Sequence, residues 1–199
     1  MSSEVSKKFE TTRDVGARGV VVKPASPYNE AVSLPRPSDD PAFFRLAPPE
    51  GRSRESSIVL DREGHFLHAG ERVAHPRLEA GLHSWVSRHP DDGRYILTNG
   101  YDWTYFTVES APYFVRSIRV LPDQVRLTLS DGTEEPWQPA LTRSDAGVLV
   151  TRVKATAAHG PYDARFSRHA QSSLMPILED RDGHPAVRVA GELCDLPEG

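Results

Sequence analysis

Five arginines, Arg116, Arg119, Arg126, Arg165 and Arg168, lie on or beside stretches of alternating hydropathy in the second half of the chain. A guanidinium is planar, always charged and carries a fork of N–H donors that fits a carboxylate or a phosphate. Arg165 stands out, set between Tyr162 and Phe166 just ahead of a helix start, with Asp163 on the same strand face as a neutraliser. Solvated surface arginines are the plainer reading of the rest. Tyr101, Trp103 and Tyr105 form an aromatic row at period two, which makes half-buried core or a wall on which a flat ring stacks. Asp102 and Glu109 bracket this row. Two carboxylates in different environments can divide acid and base roles. The simpler reading is that Glu109 accepts backbone N–H groups or pairs with an arginine.

The other chemistry-bearing residues form no local signature. Eight histidines raise the question of a metal, yet His65 and His68 are three apart in an expected strand and so point to opposite faces. His75, His83 and His89 converge only with distant help, and no metal site is assigned. No glycine-rich phosphate loop, Gly-x-Ser-x-Gly elbow or His-Glu-x-x-His pair is present, and no cofactor is implied.

The elements that would position these residues are legible from periodicity. Ile58–Asp61 and His65–His68 around an Arg-Glu-Gly turn predict a β-hairpin. Pro76 suits the first turn of a helix, and Leu78, Leu82, Trp85 and Val86 then mark one apolar face. Strands are predicted over 94–98, 102–109, 113–121, 124–130, 133–137 and 147–153, with Asp131-Gly132 as a tight turn. Val125, Leu127 and Leu129 alternate with polar residues, the pattern of a sheet with one wet face. Ser167 is placed to cap a second helix carrying Ala170, Leu174, Ile177 and Leu178 on one face, closed by Pro176. A last strand is expected at 186–190. Strands leading to a helix occur twice, a weak repetition of organisation.

The fold class expected is therefore α+β, preceded by a disordered proline-rich arm over residues 1–57. That arm holds seven of the 17 prolines, and Phe43, Phe44 and Leu46 make a small apolar knot within it, suited to packing onto the folded part. The net charge is −4, and the 142 residues after the arm hold 15 basic and 20 acidic side chains. Such a surface opposes nucleic-acid binding and docking on an anionic membrane, both of which need cationic patches. One cysteine, Cys194, rules out an intrachain disulfide and suits a reducing compartment, so a cytoplasmic location is expected. The first residues lack the apolar run of a secretory signal, and no stretch is long enough for a membrane span.

The segment from Asp92-Gly-Arg-Tyr-Ile-Leu-Thr-Asn-Gly to Val108-Glu109-Ser110-Ala111-Pro112-Tyr113 resembles the bacterial domain-of-unknown-function family 1285. Gly64-His-Phe-Leu-His-Ala-Gly and His75-Pro-Arg-Leu resemble that family's upstream motifs, and Tyr162-Asp-Ala-Arg-Phe-Ser-Arg168 its closing arginine stretch. The likeness covers roughly residues 58–190. Ser110 replaces an aspartate of the family pattern and Asn99-Gly100 a proline, so a role of that aspartate does not transfer. The resemblance implies two related subdomains, here 58–110 and 111–199, of antiparallel strands with a helix each. The second would be loosely pleckstrin-homology-like, a sheet with a closing helix. It also implies a ligand cleft between them, for a nucleotide-like molecule and with a role in signalling. Arg77, Glu109, Pro112, Arg165 and Arg168 would lie near that cleft, with Tyr101 and Trp103 as an aromatic wall. The function expected is non-enzymatic binding of a small, phosphorylated or nucleotide-like ligand. The alternatives are an acid–base enzyme using Glu109 with Asp102 or a histidine, and a protein-interaction module.

Overall fold

The structure, a computed structural model, describes residues 36–197. Fifteen strands and two α-helices are assigned among them. The first sheet is built from β1 (Glu55–Leu60), β2 (Phe66–His68), β3 (Glu71–Arg72), β4 (Val86–Arg88), β5 (Tyr95–Thr98) and β6 (Trp103–Val108). The second comprises β7 (Tyr113–Val120), β8 (Val125–Leu129), β9 (Glu134–Pro136), β10 (Thr142–Asp145), β11 (Val148–Val153) and β12 (Tyr162–Phe166). A small meander of β13 (Leu178–Arg181), β14 (His184–Val189) and β15 (Glu192–Asp195) follows, where a single strand was expected.

The strand orders are β3-β2-β1-β6-β5-β4 and β10-β11-β12-β7-β8-β9. Numbered within each set of six, both read 3-2-1-6-5-4. In each, the first and last strands pair in parallel, Leu60 opposite Val108 and Phe166 opposite Val115, and every other pairing is antiparallel. The sheets are thus mixed rather than antiparallel throughout. The repetition seen in the sequence is one of topology, though the helices are not its counterparts. Helix α1 (Pro76–Ser84) lies between the third and fourth strands of its set, where the second set has only a 3-10 turn at Pro139–Leu141. Helix α2 (Arg168–Ser172) follows the sixth strand instead.

Both helices are shorter than their apolar spacing predicts. Helix α1 is capped by His75, whose Nδ1 accepts the Leu78 N–H at 3.4 Å, and it ends before Val86, which enters β4. Ser167 caps α2 as expected, its Oγ accepting the Ala170 N–H at 3.1 Å. Pro176 then sits in a separate 3-10 turn, and Leu178 has already joined β13.

One core joins both halves, with Leu60, Phe66 and Phe106 of the first sheet and Leu82 of α1 meeting Tyr113, Phe114 and Phe166 of the second sheet and Trp137 just after β9. The opposite face of the first sheet carries a smaller cluster of Phe43, Phe44, Ile96 and Trp103. This corrects part of the reading of residues 1–57 as a disordered arm. Residues 37–45 form two 3-10 turns, and β1 begins at Glu55, because two phenylalanines find an aromatic face to cover. Residues 1–35 of that arm lie outside the described residues.

Candidate functional site

The structure separates most of the residues singled out above. Trp103 is buried under Phe44, with ring centroids 6.2 Å apart, so its wall is already occupied. Tyr101 precedes the strand in a turn and is 68% exposed. Asp102 and Glu109 stand beyond opposite ends of β6, seven residues apart. At about 3.3 Å per residue they are about 23 Å from each other, too far to act on one substrate atom as a pair. Arg165 is close to the expected set. Its Nη1 donates to Ser110 Oγ at 3.4 Å and to Asp145 Oδ2 at 3.3 Å, Ser110 following Glu109 in the chain, and Pro112 is buried. Arg77 in α1 and Arg168 at the start of α2 are exposed.

Between the two sheets, where a ligand cleft was expected, the structure has packed side chains. Tyr113 Oη donates to the Val86 carbonyl at 3.1 Å. Arg88 lies between the rings of Tyr95 and Tyr162, 5.2 and 4.9 Å from their centroids, an arrangement stabilised by the ring quadrupoles. Burial pushes the phenols of Tyr113 and Tyr162 above their ordinary range. Arg116 reaches from β7 to the first sheet, donating to the Gly64 carbonyl at 3.0 Å, with Nη2 3.3 Å from His83 Nε2. Burial, with Arg116 adding to it, lowers His83 to about 4, so the ring is neutral at pH 7. Accepting from Arg116 puts the remaining proton on Nδ1, an atom with no hydrogen-bond partner. These groups tie the two sheets together.

A concavity does exist elsewhere on the first sheet. It lies between α1 and strands β1, β5 and β6, with a volume of about 170 Å³. Ile58, Leu82, Trp85 and Leu97 give it an apolar lining, and Asn99, Asp102 and Thr104 add polar groups. The polar part is organised by the turn between β5 and β6. Asn99 Oδ1 accepts the N–H groups of Tyr101 and Asp102, each at 2.9 Å, which leaves its amide donors for another partner. Asp102 Oδ1 accepts from Arg54 Nη1 at 2.5 Å and from the Trp103 N–H at 2.9 Å. Burial is the largest single influence and works against the Asp102 carboxylate, but the Arg54 bond, the Trp103 N–H and the charges of Arg54 and Arg52 together outweigh it and hold the pKa below the usual aspartate value. Asp102 is therefore a fixed acceptor at neutral pH. Among the described residues no group of histidine, cysteine, aspartate and glutamate is arranged to hold a metal ion.

No protein-family model matches the chain, and no curated protein matches it. Solved structures do. The chain superposes on the crystal structure of a DUF1285 family protein from Silicibacter pomeroyi DSS-3 with a TM-score of 0.51, over 78% of this chain and 92% of that one, at 16% identity. Its fold resembles that of a DUF1285 protein. A second DUF1285 family protein, from Shewanella baltica OS155, covers 62% of this chain and 94% of its own at 14% identity, with a TM-score of 0.48. At these identities the likeness is one of fold and assigns no residue a role.

Of the DUF1285-like expectations, the α+β class and the two related six-stranded halves are present, with the change between them falling at residues 109–112. The sequence reading passed over Arg54, Asn99 and Arg88 as functional candidates and weighed His83 only as a metal ligand. Asn99-Gly100 carried a usable signal, since asparagine before glycine marks a side-chain-stabilised turn. No helix of the described residues is long and apolar enough to cross a membrane.

Proposed function

We propose that this protein is a non-catalytic binding protein of the cytoplasm that takes the flat ring of a small, nucleotide-like ligand between α1 and the first sheet. One observation carries the reading. An apolar concavity there has a hydrogen-bond donor, the Asn99 amide, and a fixed acceptor, Asp102, in its wall. Pockets that recognise small molecules combine an apolar lining with few polar groups of this kind. A donor beside an acceptor matches the edge of a nitrogen heterocycle, whose own acceptors and donors alternate. Pockets for whole drug-sized ligands run from about 300 Å³ upward. The smaller volume here suits a single ring, with any sugar or phosphate outside. A signalling role would follow from such binding without chemistry.

The test is a titration of the full chain with adenine, guanine, nicotinamide and indole, followed by amide chemical shifts. Shifts confined to residues around Leu82, Leu97 and Asn99 support the reading. Asn99→Asp keeps the turn acceptor and removes the donors, and it should weaken heterocycle binding at least about tenfold, the loss of roughly one good hydrogen bond. If none of the four compounds shifts these residues, the pocket is not a ligand site. Acid–base catalysis by Glu109 with Asp102 gains no support from their separation along β6.

A further inference from the structure

The segment over residues 36–46 lies across the outer face of the first sheet, and it touches the same loop that forms the rim of the pocket. The Ser38 N–H donates to the Gly100 carbonyl at 3.2 Å. The Arg36 side chain lies so close to Gly100 that a Cβ there would sit 2.8 Å from its Cδ. Further along, Phe44 packs on Trp103 and on His89, whose Nε2 is 3.1 Å from the Phe44 carbonyl. Arg45 closes the strap with a two-pronged bond to Asp91, at 2.9 and 2.7 Å. Arg54 caps the other end of this stack. Its guanidinium sits 4.5 Å from the Trp103 ring centroid while bonding both Asp102 and the Trp103 carbonyl. Loop residues 99–102 are thus held from one side by the strap and carry the pocket's polar groups on the other.

We propose that the strap is a built-in regulator of the pocket: docked, it fixes Asn99 and Asp102 in their recognition geometry, and released, it lets that rim loosen. The proposal rests on the pocket reading above. Its physical basis is that the strap is anchored locally, by two phenylalanine side chains, one ion pair that is 61% and 43% exposed, and a few hydrogen bonds. Segments held by so few contacts open well below the free energy of global unfolding. Linkage then makes the effect mutual, so a ligand that needs the ordered rim also favours the docked strap. A partner or a change that captures the strap would lower the pocket's affinity without touching the pocket.

Hydrogen exchange of the full chain, without ligand, tests this. Arg45→Glu sets like charges against each other at Asp91 and leaves both phenylalanines in place, while Phe44→Ala removes the plug. In either variant the amides of residues 38–46 and of 98–104 should exchange together at least about tenfold faster, with β7 to β12 unchanged. Strap amides that accelerate while 98–104 keep their wild-type rates would overturn the proposal. So would a strap that neither variant loosens, or a rise in exchange spread evenly over both sheets in Arg45→Glu. With no ligand in the experiment, a silent loop sinks the coupling alone, whereas the heterocycle titration decides the pocket.

Discussion

Gly64 and the ring of Phe114 meet with no space between them: a Cβ on Gly64 would lie 2.9 Å from two ring carbons. The glycine closes the β1–β2 hairpin at φ +84°, and its carbonyl accepts the bond from Arg116. Both backbone conformation and contact therefore require glycine at the point where the first sheet presses on the second. Alanine at this position combines left-handed strain with overpacking against a ring that is 2% exposed. Gly64→Ala should cost about 2–4 kcal/mol in denaturant unfolding, the sum of those two effects. A loss below about 0.5 kcal/mol, the level of an ordinary surface change, would show that the sheets do not need this contact.

A buried neutral histidine makes the same junction sensitive to acid. His83 titrates at about 4 in the folded protein against 6.5 for the free side chain. The unfolded chain therefore binds a proton that the folded one refuses between those values. The stabilisation from keeping His83 neutral is complete above pH 6.5 and is lost as pH falls toward 4. Arg116 and His65 oppose its protonation while the Gly64 backbone and Asp131 favour it, all four smaller effects than burial. His83→Gln should unfold with a shallower pH dependence in this window, the difference from wild type being at most about 1.4 kcal/mol per pH unit. Parallel stability curves for the two proteins would mean that His83 is hydrated and titrates normally.

Much of the architecture was legible in the sequence because strands with one wet face announce themselves. Val125, Leu127 and Leu129 alternate in burial just as their types do, and Ser167 caps α2. The parallel pairings were not legible, since Leu60 beside Val108 joins residues far apart along the chain and no periodicity encodes a partner. Leu178 shows the other failure. Its spacing from Leu174 fits a helix face, but Pro176 and the following meander take it into a strand. The site was legible only in part. The aromatic row was found, yet nothing local tells that Phe44, 59 residues before Trp103, covers it. Arg165 was found beside Ser110, while the pocket depends on Arg54 and Asn99, which act through a turn and a long-range bond.

The second half has its own buried charge pair, and it gives a sharper prediction than any surface ion pair. Lys154 Nζ lies 2.6 Å from Asp131 Oδ2, with the side chains 18% and 9% exposed. Burial pushes the Asp131 carboxyl up, but bonds from Lys154 and Thr133 outweigh it and hold the pKa below 3.8. Removing the cation leaves a carboxylate that is half withdrawn from water with only Thr133 to satisfy it. Lys154→Met should therefore destabilise by about 1–3 kcal/mol at pH 7, less than a fully buried pair because the site keeps some solvent. The Asp131→Asn/Lys154→Met double variant should recover most of that loss, since no charge remains to be stranded. The single variant's deficit should also narrow as pH falls toward 3.8, where a protonated Asp131 no longer needs a cation. Thermal unfolding of the three proteins at pH 7 and pH 4 decides it. A double variant as unstable as the single one would place the cost in lost packing of the lysine stem rather than in charge.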